Sequence, residues 1–276
     1  IDAIECKEII ANLNPHWLIV DHYFIDRQWE LTFKRNNLKI MVIDDLANRK
    51  HHCEVLLDQN YYLYPKDRYS NLIPKNCHQL LGPGFSLLRE EFVNFRTKKT
   101  YSKDKKFHVF IFMGSADKHN QTLKAINSVI YFLEKGESIS ADVLVGSINI
   151  HSVQIELLCK KYSEITFYKS PNNIAELMSK ADVSIGAGGS TSIERCYLGL
   201  PSLVISLAKN QVETTKALDS IGAICDLGWF QSVDEKKIIT MIKKLMNSKS
   251  FLKSMEIKAI SIFSFNKNKN KNGSKY

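Results

Sequence analysis

Between Gly186 and Gln211 the chain reads GAGGSTSIERCYLGLPSLVISLAKNQ, and this stretch combines the residue types needed to hold a phosphate. It follows a strand-like apolar run, Ala181–Ile185, so Gly186, Gly188 and Gly189 fall where a strand hands over to a helix. Glycine at such a position permits positive φ and a close backbone approach to a ligand. Ser190, Thr191 and Ser192 offer N-cap hydroxyls beside the unpaired N–H groups of the helix start, whose dipole end is positive. Glu194, within the first turn, could accept hydrogen bonds from a sugar diol. Leu200–Leu207 reads as a second buried strand, and the amides Asn210 and Gln211 close it at its carboxyl edge. Open α/β sheets bind ligands at that edge. The competing reading is a glycine-rich loop that only turns the chain; the series Ser-Thr-Ser-x-Glu followed by Asn-Gln weighs against it.

Three further strand ends carry polar clusters: Asp21-His22-Tyr23, Asp44-Asp45, and Gly114-Ser115-Ala116-Asp117 ahead of Asn120, a candidate N-cap. His22 can be read as a general base or as a packed histidine with a backbone partner, and Tyr23 as a donor to a sugar or leaving group. Asp44-Asp45 fits either a capped turn or a magnesium site. Gly114-Ser115 could wrap a phosphate or sugar. Cys196 falls on an apolar helix face and reads as core rather than nucleophile. The chain holds no GxSxG elbow, no Walker-type GxxxxGK and no complete GxGxxG fingerprint.

The elements that must position these residues alternate between strand-like runs and amphipathic helix-length segments, the pattern of parallel sheets built from βαβ units. In the first part, Trp17–Asp21, Lys39–Asp44 and Val55–Asp58 read as strands. Ala3–Leu13 reads as a helix already under way, and Phe85–Phe95 as a helix introduced by Gly82-Pro83-Gly84 with Ser86 as a possible cap. The basic segment 96–106 breaks the pattern and marks a domain boundary. Beyond it six strands and their helices make one doubly wound domain over 107–260. Two Rossmann-like halves, 1–95 and 107–260, would hold a ligand in a cleft. Three strands with few helices can hardly cover both faces of a parallel sheet. Together with an opening Ile in mid-helix, this leads us to expect further residues upstream, at least one strand among them. The tail 261–276 loses the apolar period and is expected to be disordered.

The 276 residues are 44% hydrophobic and 24% charged, an ordinary soluble globular composition. No apolar run approaches a membrane span and no signal-peptide pattern opens the chain, so a cytoplasmic protein is expected. Six widely separated cysteines without a CxxC pair read as reduced thiols. His51-His52-Cys53 and Cys77-His78 lack the spacing of a zinc site, so no metal and no cofactor is expected. The net charge of +9 resides wholly in the 96–106 segment and the tail. Neither is interleaved with stacking aromatics, which argues against a nucleic-acid partner.

The segments WLIVDHY, IDDLA, VLLDQN, LLGPGFSLLREEF, FMGSADKHNQTLKA and IGAGGSTSIERCYLGLPSLVISLAKNQ, in this order, resemble the PseG family. Its members are UDP-2,4-diacetamido-2,4,6-trideoxy-β-L-altropyranose hydrolases of pseudaminic acid biosynthesis. The match runs from about Trp17 to Ala259. It implies a GT-B-like α/β fold of two Rossmann-like domains with parallel sheets, the first incomplete here, and a UDP-sugar as the small-molecule partner. It also implies site residues: Gly188, Gly189, Ser190 and Thr191 at the pyrophosphate, Glu194 at the ribose, and Asn210 with Gln211 in the active site. Tyr23 matches a tyrosine facing the sugar, and Gly114, Asp117 and Asn120 match a Gly-Gly-[Ser/Thr]-Asp-x-x-Asn loop. Two departures stand out. That loop reads Gly-Ser-Ala-Asp here, and the family's GxGHxxR loop, whose His is taken as catalytic base, has no counterpart, leaving His22 as the nearest substitute. The alternatives to a hydrolase are a catalytically inactive UDP-sugar-binding remnant and a GT-B glycosyltransferase.

Overall fold

The structure, a computed structural model, describes residues 2–34, 37–96 and 105–263. Most of the basic segment and nearly all of the tail lie outside the described residues. The chain divides into two compact units, Ile1–Leu87 and Leu88–Tyr276.

The N-terminal unit runs α1 (Asp2–Leu13), β1 (Trp17–Val20), α2 (Arg27–Leu31), β2 (Lys39–Ile43), β3 (Val55–Asp58), α3 (Pro65–Arg68) and β4 (His78–Leu81). The four strands form a parallel sheet in the order β1-β2-β3-β4. β2 and β3 take the centre, with Ile40, Val42, Leu56 and Leu57 buried and Met41, Ile43 and Val55 half-buried. The fourth strand is an addition to the three the sequence indicates. His78 and Gln79 are exposed and Leu80 and Leu81 only half-buried, so this edge strand lacks the unbroken apolar run of a central parallel strand. Asp26 starts α2 as its N-cap, accepting from the N–H groups of Gln28 (2.9 Å) and Trp29 (3.4 Å).

The C-terminal unit runs α4 (Glu90–Asn94), β5 (Phe107–Phe112), α5 (Gln121–Glu134), β6 (Ile139–Val145), α6 (Ser152–Cys159), β7 (Ile165–Lys169), α7 (Ile174–Lys180), β8 (Val183–Ala187), α8 (Ser190–Tyr197), β9 (Ser202–Ser206), α9 (Lys209–Ser220), β10 (Cys225–Trp229), α10 (Glu235–Met246) and α11 (Lys249–Ser261). Its six strands are parallel in the order β10-β9-β8-β5-β6-β7. Successive residues of a strand face opposite sides. On β5, Val109 and Ile111 therefore enter one core with Val129, Ile185 and Ile242, while Phe110 enters another with Leu144, Met178 and Leu198. Helices cover both faces, which is why every residue of β8 and β9 is buried. Phe110→Ala would cost about 3–5 kcal/mol by emptying the second core.

Two expectations change here. The unit boundary falls at Leu87/Leu88 rather than at the basic segment, because Phe92, fully buried, packs with Phe110 and Leu144 in the C-terminal core. The helix expected over 85–95 is shorter. Pro83–Phe85 makes one 3-10 turn, Ser86 and Arg89 are extended, and only Glu90–Asn94 is α-helical.

Candidate functional site

The order β9-β8-β5 places three loop ends side by side at one sheet edge. Phe112 pairs with Gly186 across β5 and β8, and Ala187 pairs with Ile205 across β8 and β9. The loops leaving these strands carry Gly114–Asp117, Gly188–Thr191 and Asn210–Gln211. Strand order reverses between β5 and β8, the position where open α/β sheets admit ligands.

At the centre, Gly189 is the N-cap of α8 at φ 95°, and no side chain caps the helix. The expected hydroxyl cap does not form. Ser190 is exposed, and the Ser192 hydroxyl turns inward, donating to the Ala187 carbonyl (3.5 Å) and accepting from Arg195 Nη2 (2.8 Å). The first N–H groups of a helix have no partner within it, so this turn offers donors to a ligand. Gln211 lies against it: a Cβ on Gly188 would stand 2.9 Å from Gln211 Cβ, and one on Gly189 3.6 Å from Gln211 Nε2. The Gln211 Oε1 accepts from Leu207 N–H (2.8 Å), which leaves the amide nitrogen facing the glycine turn. Asn210, in the same first turn of α9 rather than on the strand end, has no side-chain hydrogen bond among the described residues.

Beneath the turn lies Arg195, fully buried. Its Nη2 donates to the Ala187 carbonyl (2.6 Å) and to Ser192, while Nε and Nη1 are buried without a partner. Burial lowers its pKa to about 10, which still leaves it cationic at neutral pH. A Cβ on Gly186 would collide with this guanidinium and stand 2.6 Å from the Phe112 carbonyl, so the first glycine of the run makes room for an arginine rather than for a ligand. Glu194 is mostly buried, and its Oε1 accepts from Arg89 Nε and Nη2, both at 3.2 Å. Desolvation raises its carboxyl pKa, against the pull of Arg89. Arg89 is in turn paired with Glu91 at 2.7 Å. Sequence reasoning missed both arginines; the hint of Arg195 was Gly186 inside the buried strand β8.

In the β5 loop, Gly114 has φ 84°. Asp117 takes the cap expected of Asn120: its carboxylate accepts from the N–H groups of Gln121 (2.9 Å) and Thr122 (2.8 Å), and it is buried. Asn120 is left-handed (φ 48°), with its side-chain oxygen buried and unpartnered. Cys196 is fully buried with its thiol pushed up to about 12, the state of a core residue.

In the N-terminal unit the carboxyl edge is acidic. Asp44 makes a capped turn, accepting from Ala47 N–H (2.9 Å) and pairing with Arg49 (2.7 Å). Asp45 accepts from Asn60 Nδ2 (3.3 Å), keeps Oδ1 buried without a hydrogen bond, and interacts with the Tyr23 hydroxyl. Burial raises the pKa of both Asp45 and Tyr23. Asp58 accepts from Tyr69 (3.0 Å) and faces Arg68 (3.4 Å), and burial lifts its pKa to about 6. His22 is exposed, and its Nδ1 accepts from Phe24 N–H (3.2 Å). With that lone pair engaged, the ring offers no acceptor nitrogen in this conformation. Among the described residues no group of three or more His, Cys, Asp or Glu side chains is arranged for a metal, and no helix is long and apolar enough to cross a membrane.

Residues 108–275 match the glycosyltransferase family 28 C-terminal domain. The chain is similar to the UDP-2,4-diacetamido-2,4,6-trideoxy-β-L-altropyranose hydrolase of Campylobacter jejuni, 31% identical over 206 residues, 74% of this chain and 71% of that protein. Among solved structures it is similar to MurG of Acinetobacter baumannii, with TM-score 0.61 and 14% identity over 95% of this chain and 72% of that one. It is also similar to the UDP-GlcNAc 2-epimerase of Neisseria meningitidis bound to UDP-GlcNAc, with TM-score 0.63 and 14% identity over 98% of this chain and 79% of that one. The fold is thus α/β with two parallel sheets of four and six strands, GT-B-like as expected.

Proposed function

This chain belongs to the glycosyltransferase family 28 C-terminal domain family, whose enzymes process nucleotide sugars, and from that premise we propose that it is a UDP-sugar hydrolase. The substrate proposed is UDP-2,4-diacetamido-2,4,6-trideoxy-β-L-altropyranose, the compound named for the Campylobacter relative. The observation that carries the reading is the uncapped start of α8 at Gly189–Thr191 above the buried guanidinium of Arg195. Backbone donors already in place, with a cation behind them, stabilise a diphosphate without reorganising when it becomes a leaving group. Gly114 and the Gln211 amide add contacts to the same phosphates. Glu194, steadied by Arg89, accepts from the ribose hydroxyls through its remaining oxygen. Asn210 and Tyr23 act on the sugar. In the reaction, water attacks the anomeric carbon from the face opposite the phosphate. The carbon–oxygen bond to UDP breaks with inversion, and the water's proton passes to a base.

A second reading, a UDP-sugar binder without turnover, is favoured by His22, whose acceptor nitrogen is occupied. One experiment separates them: incubate the protein with the UDP-sugar and no acceptor, follow UDP release, and measure UDP affinity by calorimetry in parallel. UDP release with an inverted hemiacetal is expected. Binding without release favours the inactive binder, and release only on adding an acceptor favours a transferase.

A further inference from the structure

We infer that Cys53 and Cys77 make an oxidation site in the N-terminal unit, a pair of thiols that a hydroperoxide converts to a disulfide. Both cysteines are free, and their sulfurs lie 3.6 Å apart. A disulfide needs about 2.05 Å, a gap that rotation about the two Cα–Cβ bonds closes. The site lies wholly in the N-terminal unit, apart from the proposed diphosphate loop.

The strands hold the backbone at a spacing that suits the bond. Val55 pairs with His78 where β3 and β4 begin, which sets Cys53 and Cys77 one step out of register just before the ladder. Neighbouring strands lie about 4.8 Å apart and rise about 3.3 Å per residue. The Cα atoms of such a diagonal pair are about 6 Å apart, inside the span of roughly 4.4–6.8 Å that disulfides bridge. Cys77 N–H donates to the Pro74 carbonyl (3.0 Å) and His78 N–H to the Glu54 carbonyl (2.8 Å). These bonds keep the backbone in place while the side chains turn.

The two thiols are not equivalent. Cys53 is 3% exposed and packs with Val20, Ile40, Leu56 and Tyr69. Its hydrogen bond to the Cys77 sulfur, together with burial, raises its pKa. Cys77 is 8% exposed and opens the edge strand between exposed Asn76 and His78, where a small oxidant reaches it first. The hydrogen bond from Cys53 lowers its pKa, against the opposing effect of burial. The thiolate is the nucleophile, so Cys77 attacks. Its sulfur takes one peroxide oxygen and becomes a sulfenic acid. The O–O bond breaks, and the other oxygen leaves as hydroxide or alkoxide and takes the proton that Cys77 released. The Cys53 thiol then attacks the Cys77 sulfur: the S–S bond forms, the S–O bond breaks, and water departs with the thiol proton. Two thiols are oxidised and one peroxide is reduced. The product ties together the ends of the segment that carries Asp58, Arg68 and Tyr69. A crosslink over 24 positions also removes freedom from the unfolded chain.

The test treats the reduced full chain with hydrogen peroxide, alkylates the remaining thiols under denaturing conditions and maps the peptides by mass. A cross-linked pair of peptides through Cys53 and Cys77 is expected, with Cys6, Cys159, Cys196 and Cys225 alkylated. The melting temperature should rise by about 5 °C or more and return when dithiothreitol is added. In Cys53→Ala, oxidation should stop at a Cys77 sulfenic acid that dimedone labels. In Cys77→Ala, Cys53 should stay unmodified at the same peroxide dose. Alkylation of both Cys53 and Cys77 in the treated wild type would overturn the inference. So would a disulfide from either one to another cysteine or to a second chain. Those mapping results come from the wild type alone and do not depend on a variant that folds.

Discussion

The two parallel sheets end in opposite kinds of polar surface. At the carboxyl edge of the C-terminal sheet, glycine turns and a helix start leave backbone donors uncommitted, and a buried arginine adds positive charge beneath them. At the matching edge of the N-terminal sheet, Asp44 and Asp58 have their oxygens engaged by Arg49, Arg68, Tyr69 and backbone N–H groups. The first edge is short of acceptors and fits an anion. The second is internally satisfied apart from Asp45 and the exposed pair His22 and Tyr23. Binding capacity follows from what a fold leaves unpaired, not from how many polar residues it gathers.

The largest expected effect tests whether the first edge depends on its arginine being housed. Gly186→Ala drives a methyl group into Arg195 and the Phe112 carbonyl, and should cost about 3 kcal/mol in urea unfolding. The second edge gives a comparable effect in pH rather than in affinity. Asp58 holds its proton more tightly folded than unfolded. Its contribution to stability is therefore present below about pH 4 and is lost as pH rises through about 6. The stability of wild type minus that of Asp58→Asn should fall by roughly 2–3 kcal/mol between pH 4 and 7, measured by urea midpoints. Arg195→Met sharpens the contrast. An unpaired buried cation stabilises a fold poorly, so the melting temperature should hold or rise, while UDP affinity falls by about 2 kcal/mol. Loss of both together would make Arg195 structural. Glu194→Ala should weaken UDP roughly tenfold by calorimetry, with Arg89 remaining paired to Glu91. Smallest is Tyr23→Phe, expected to leave UDP affinity unchanged while slowing UDP release; equal loss of both would move Tyr23 to a structural role.

Much of this architecture was readable in the sequence because strand and helix periods are local. The six C-terminal strands and the glycine turn before α8 follow from apolar runs punctuated by Gly. What was not readable depended on where long side chains end. IERCYLG gives no sign that Arg195 folds back under the loop, nor that Arg89, 105 positions away, reaches Glu194. Asp117 and Asn120 are both good cap residues, and only the left-handed turn at each decides that Asp117 takes the role. Asp44 and Asp45 are chemically identical, yet one is paired with an arginine and the other is left with an orphan oxygen. β4 escaped notice because edge strands need no apolar run. Cys53 and Cys77, 24 positions apart, meet at 3.6 Å only because β3 and β4 lie side by side.

The most direct test of the uncommitted donors above Arg195 is amide 1H–15N spectroscopy of the uniformly labelled chain as UDP is added. Downfield shifts are expected at Gly189, Ser190 and Thr191, whose N–H groups have no acceptor among the described residues, whereas Gly188 N–H already donates to the Ile205 carbonyl (3.2 Å). The shifts should saturate together with the calorimetric isotherm, with inorganic phosphate alone reproducing part of them. UDP binding that leaves those three amides unmoved would contradict the assignment of this turn as the diphosphate site.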